Sequence, residues 1–200
     1  MRYYPARALL TASLASLAAC QPSQLPADAL ASYVADPAHQ LCQVQQIGST
    51  EVSVTYQPVD LLVARSLSAL PPRPATVDSL RKQYRDAAFF MLSIARNQRE
   101  VLQPAEGFAD YSTLLQTLAF RMGEHVQLVT SQGDTLRPVN YYLDRTYASA
   151  SATQLLFAFP KPPFTGSWRF QLRECGLGTG NLSFSFGAPQ LAAAPTLALN

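Results

Sequence analysis

Trp168-Arg169-Phe170-Gln171-Leu172 and Leu182-Ser183-Phe184-Ser185-Phe186 are the two stretches that decide the fold. In each, large apolar residues alternate with polar ones at a strict period of two. That spacing places every apolar side chain on one face of an extended strand and every polar one on the other. Between them, Gly176-Leu177-Gly178-Thr179-Gly180 supplies the backbone freedom of a hairpin loop. Two half-buried strands joined by a glycine-rich turn predict an antiparallel sheet with one face on a core.

The same signal extends upstream. Val126 to Thr130 reads as a strand, Ser131-Gln132-Gly133-Asp134 as a turn, and Val139 to Leu143 as the next strand, separated by Pro138. Leu155-Leu156-Phe157-Ala158-Phe159 is an apolar strand ended by Pro160, with Pro162, Pro163 and Gly166 in the following loop. Near the start, Thr50 to Tyr56 alternates with Val52, Val54 and Tyr56 on one face, and Val59 to Ala64 reads as a more buried strand after Pro58. Pro71-Pro72-Arg73-Pro74 predicts a rigid exposed loop. Residues 78–103 fit either helical or strand spacing; a strand over Asp86 to Ala95, a turn at Asn97-Gln98 and a return through Val101 is the preferred reading. Ala109 to Gln116 predicts a short helix. Fifteen prolines spread along the chain disfavour long helices. The expected fold is mainly β, an antiparallel sandwich with one or two short helices. The stretch 126–186 resembles small immunoglobulin-like envelope sandwiches, which implies that architecture and no particular activity.

The amino-terminal segment carries an address. Arg2 and Arg7 precede Ala8 to Ala19, an uncharged apolar run too short for a bilayer, which needs about 20 residues. It ends in Leu17-Ala18-Ala19-Cys20. These residues resemble the signal and lipobox of bacterial lipoproteins. The resemblance covers residues 1–20 and implies cleavage before Cys20, lipidation of its thiol and acylation of the new terminus. Two or more acyl chains hold a protein stably at a membrane. Gln21, where an aspartate would favour inner-membrane retention, implies the outer membrane, and the lack of an acidic run after Cys20 implies its periplasmic face. The expected divisions are a signal peptide over 1–19, a lipidated tether over 20–40 in which Ala27 to Ala35 can form a helix, a sandwich over 41–187, and a disordered tail over 188–200.

Charge excludes one class of partner. The 15 basic and 13 acidic residues give +2, and Arg2 and Arg7 leave with the signal, so the mature chain is formally neutral. It lacks the basic surplus that nucleic acid requires. No catalytic, cofactor or metal constellation stands out. Gly176 to Gly180 lacks the third glycine of a dinucleotide fingerprint, since position 181 is Asn181, and a strand follows where a helix is required. Ser79-Leu80-Arg81-Lys82 matches the Ser-x-x-Lys of penicillin-binding enzymes without their partner motifs. His39, Cys42, His125 and Cys175 contain no close ligand pair for zinc. Tyr141, Tyr142 and Tyr147 cluster and are candidates for stacking on a sugar or peptide, against the reading that alternate ones pack in the core. Cys42 and Cys175, the two thiols left after lipidation, are expected to pair in an oxidising compartment. The sequence thus predicts a lipid-anchored envelope protein with a binding or assembly role, its partners the membrane and an envelope protein or glycan. A periplasmic enzyme with scattered site residues and a carbohydrate-binding module are the alternatives.

Overall fold

A computed structural model describes residues 23–67, 74–102, 108–144, 151–162 and 165–199. Strand β1 (Gln24–Leu25) and helix α1 (Ala27–Ala35) precede a 3-10 turn over Pro37–His39. A hairpin of β2 (Cys42–Ile47) and β3 (Thr50–Gln57) leads to helices α2 (Val59–Leu67) and α3 (Pro74–Tyr84). Strand β4 (Ala87–Arg96) turns into the short β5 (Arg99–Glu100). Helix α4 (Phe108–Gln116), a π turn over Thr117–Arg121 and α5 (Met122–His125) then feed β6 (Val126–Thr130). The remaining strands are β7 (Thr135–Leu136), β8 (Asn140–Asp144), β9 (Thr153–Pro160), β10 (Trp168–Leu172) and β11 (Leu182–Phe186). Helix α6 (Ala188–Ala192) and β12 (Thr196–Leu197) close the chain.

The protein is mainly β. The larger sheet runs β2-β3-β4-β9-β8, with β5 on the end of β4, and the smaller runs β11-β10-β6-β7. Every pairing in both is antiparallel. The alternation of the sequence becomes a burial pattern. Phe170 sits between Phe184 and Leu128 on its neighbouring strands, all three buried, while Arg169 and Ser185 face out. In the larger sheet Ala88, Phe90, Leu92 and Ile94 point inward from β4 and Leu155, Phe157 and Phe159 from β9. Phe90 joins the layers. Its ring lies 5.6 Å from that of Phe170, 5.1 Å from Phe186 and 6.3 Å from Trp168, at tilted or edge-on angles that suit the charge distribution of aromatic rings.

A second, smaller core lies among the helices. Leu30 and Val34 of α1, Leu61, Val63, Ala64 and Leu67 of α2, Val77 of α3 and Leu197 of β12 pack together, with Tyr56 shared between the two cores. This layer corrects three expectations. Val59 to Ala64 is helical, not a strand. Its first turn hangs from the Pro58 carbonyl, which accepts from the Leu61 and Leu62 N–H groups, and it is buried almost all round, so no helical periodicity marks it. The expected tether is folded from Ser23 onward, because α1 contributes buried leucine and valine. The expected disordered tail is ordered to Leu199. β12 pairs in parallel with β1, Gln24 opposite Thr196 and Leu25 opposite Leu197. Within 78–103 both spacings are real in succession, helix through Tyr84 and then the hairpin at Asn97-Gln98. Pro74 begins α3, and Pro71 to Arg73 lie outside the described residues.

The two packed sheets therefore have two distinct ends. β3 runs into α2 and α3 runs into β4, which puts the helical layer at the Gln57/Ala87 end. The turns Gly48-Ser49 and Asn97-Gln98 lie at the other end, joined by the Asn97 N–H to the Ser49 carbonyl. The 173–181 loop is also there, held by Arg96 donating to the Leu177 carbonyl at 3.0 Å. β3 alone, at about 3.3 Å per residue, separates the two ends by about 25 Å.

Phe184 is 2% exposed while its neighbour Ser185 is on the outer face. Phe184→Asp is expected to cost on the order of 4 kcal/mol or more, because it buries an unpaired charge. Ser185→Asp should stay within about 0.5 kcal/mol. Denaturant midpoints of the two variants check the assignment of faces.

Candidate functional site

Two clefts with polar linings lie at the end away from the helical layer. The central device of that end is the loop between β10 and β11. The Glu174 carboxylate folds back into that loop and accepts five backbone N–H groups, from Cys175, Gly176, Leu177, Gly178 and Gly180, at 2.5–3.1 Å. Asn181 closes the ring by accepting from the Glu174 N–H at 3.0 Å. Gly176 at φ +94° and Gly178 at φ +72° have the left-handed backbone that turns successive N–H groups toward one point. The glycine pattern that hints at a phosphate loop is thus a concave anion nest, filled by the chain's own carboxylate. Partial burial alone would raise the Glu174 pKa, but the N–H groups of Gly178, Gly180, Gly176 and Leu177 outweigh it and hold the acid below its ordinary range.

The two clefts flank this end. One, of about 600 Å³, is lined by Thr113, Thr117, Arg121, His125, Glu174 and Cys175 among others. His125 Nδ1 lies 2.9 Å from the Glu174 carbonyl; a carbonyl only accepts, so Nδ1 carries the proton and Nε2 is left as an acceptor in the neutral ring. Arg121 pairs with Glu124 at 3.3 Å on the π turn, which also leaves Phe120 81% exposed. Cys175 is buried beside the cleft, and burial, with the Glu174 charge second, pushes its thiol up to about 12. It stays protonated at neutral pH and is no nucleophile. The arrangement offers polar groups that can bind a ligand.

The other cleft, of about 640 Å³, opens on the outer face of the larger sheet. Its walls carry Glu51, Ser93, Gln154, Ser49 and the turn residues Asn97 and Gln98. Ser93 stands directly opposite Gln154 across β4 and β9.

The residues singled out from sequence are dispersed. Cys20 and Tyr147 lie outside the described residues. Tyr141 and Tyr142 point to opposite sides of β8. Tyr141 stacks on Phe157 at 5.3 Å, and its hydroxyl accepts from the Met122 N–H at 3.2 Å; Tyr142 is 65% exposed. They form no shared platform. The expected Cys42–Cys175 bridge is absent and both thiols are free. Cys42 pairs with Thr55 on the outer face of the larger sheet and its Sγ accepts from the Thr55 hydroxyl, whereas Cys175 faces the core at the far end of the other sheet. His39 stacks on Tyr33 and its Nδ1 bonds the Tyr33 carbonyl, remote from His125. Ser79 and Lys82 are exposed on α3. Sequence reading missed Glu174, whose neighbouring glycines were visible but whose carboxylate was not tied to them.

No family model and no curated protein matches the chain. Two solved structures do. One is a DUF4426 family protein from Pseudomonas aeruginosa PAO1, 14% identical, with a TM-score of 0.40 over 74% of this chain and 92% of that one. The other is a protein of unknown function from Burkholderia pseudomallei K96243, 10% identical, with a TM-score of 0.39 over 86% of this chain and 93% of that one.

A carboxylate with a depressed folded pKa adds stability above its unfolded pKa and loses it as pH falls through the folded value. Glu174→Gln should therefore lower the melting temperature at pH 7 and narrow the gap to the parent as pH drops below about 4. Melting curves across that range check it. An unchanged gap at low pH contradicts the role of the charge.

Proposed function

We propose that this protein is a lipid-anchored component of a bacterial cell envelope, in which an immunoglobulin-like sandwich presents its loop end to a partner. The observation that carries this reading is the closeness of the lipobox to the folded domain. The Ser23 carbonyl, three residues after Cys20, already accepts from the Thr196 N–H at 3.0 Å. Three residues reach at most about 11 Å, whatever their conformation. A lipidated Cys20 holds the β1–β12 pair and the helical layer against the lipid surface. The loop end, with its two polar clefts, then points away from it.

Strand order supports the immunoglobulin-like reading. Without the edge strand β2 and the short β5, the larger sheet reads β3-β4-β9-β8 and the smaller β11-β10-β6-β7. In chain order these correspond to A-B-E-D on one sheet and G-F-C-C′ on the other. In such domains the connections B–C, D–E and F–G gather at one end, and their counterparts here are the segments 97–125, 145–152 and 173–181. Gln21 favours the outer membrane, and the lack of an acidic run after Cys20 favours its periplasmic face. The role is binding or assembly, a reading that the two clefts with polar linings at the loop end support.

Cys20→Ser should abolish labelling with palmitate and release the protein from the membrane fraction. Unchanged labelling and fractionation would overturn the lipid-anchor reading.

A further inference from the structure

We propose that the cleft on the outer face of the larger sheet binds a neutral glycan bearing hydroxyl and acetamido groups. The proposal rests on the reading of the loop end as the binding end and names its ligand class. Two observations point to the cleft. Its lining is rich in groups that both donate and accept: the amides of Gln154, Asn97 and Gln98 and the hydroxyl of Ser93. Sugar hydroxyls and acetamido groups do the same, so each amide matches them in either sense. Glu51 is the one ionisable side chain among the described lining residues, and no cation faces it from them. These residues offer a phosphate or carboxylate ligand no cation, while a sugar hydroxyl can donate to the Glu51 carboxylate.

The second observation is backbone strain. Asn97 and Gln98 occupy the left-handed region, at φ +51° and +59°. Asparagine is at home in this two-residue turn, but glycine is the residue that fits its second position. Gln98 holds a conformation unfavourable to it while lining the cleft, and strain of this kind gathers at ligand sites. Exposed Tyr142 lies on the same outer face, opposite Leu156 and one same-face position along from the Asp144–Gln154 pair. It offers a ring on which a sugar can stack.

The test titrates the full lipidated chain in nanodiscs with the N-acetylglucosamine tetramer, read by saturation-transfer NMR. Saturation transfer to the sugar is expected, and Gln154→Leu should weaken binding about fivefold or more, the loss of one good hydrogen bond. Gln98→Gly should raise the melting temperature by relieving the turn, yet weaken binding. No transfer to the tetramer from a parent sample that carries palmitate overturns this proposal and leaves the anchor reading standing. Binding unaltered in both variants also overturns it.

Discussion

The buried carboxylate of Asp60, only 6% exposed, ties together parts of the chain that are far apart in sequence. It takes both forks of the Arg81 guanidinium at 2.7 Å and accepts the Leu197 N–H at 2.7 Å. Arg81 Nη2 also reaches the Leu197 carbonyl at 3.5 Å. A carboxylate in an apolar layer persists only when its oxygens are satisfied, and here α3 and the carboxyl-terminal strand supply the donors. Through the β1–β12 pair the same contact fixes the start of the domain. The helical layer, the chain end and the segment nearest the proposed lipid anchor are one unit because of it.

That unit gives the two packed sheets a direction. Phe90 and the rings around it lock the two sheets face to face, so the loop end keeps a fixed relation to the helical end. At the loop end, backbone N–H groups that would otherwise face solvent converge on Glu174, which holds the β10–β11 loop in one shape. This loop lines one of the two polar clefts, and a loop held in one shape loses little conformational freedom on binding.

The strands were legible because each buries one face, so Trp168 to Leu172 and Leu182 to Phe186 had to alternate. The same reasoning failed for α2. Asp60, Leu61, Leu62, Val63 and Ala64 are all buried, and a segment buried all round has no period to read. The tail looked frayed because alanine and proline carry no pattern, yet Leu197 is fixed by a side chain 137 residues away. Such a contact leaves no local trace. Cysteine pairing failed for a related reason: Cys42 faces out from β2 of the larger sheet, whereas Cys175 lies in the loop after β10 and faces the core. In the candidate site, the glycines at 176, 178 and 180 announced a special backbone. That it encloses a carboxylate, and that Ser93, Gln154 and Gln98 meet at one cleft, follows only from register and turn geometry.

The central claim is directional: the helical end sits at the lipid and the loop end away from it. Paramagnetic relaxation by gadolinium-chelating lipids, read on methyl groups of the lipidated protein in nanodiscs, tests it most directly. The account predicts strong broadening at Leu25, Leu197 and Leu199 and little at Ile47 and Leu177, about 25 Å further out. Equal broadening at both ends, or stronger broadening at Ile47 and Leu177, would contradict it.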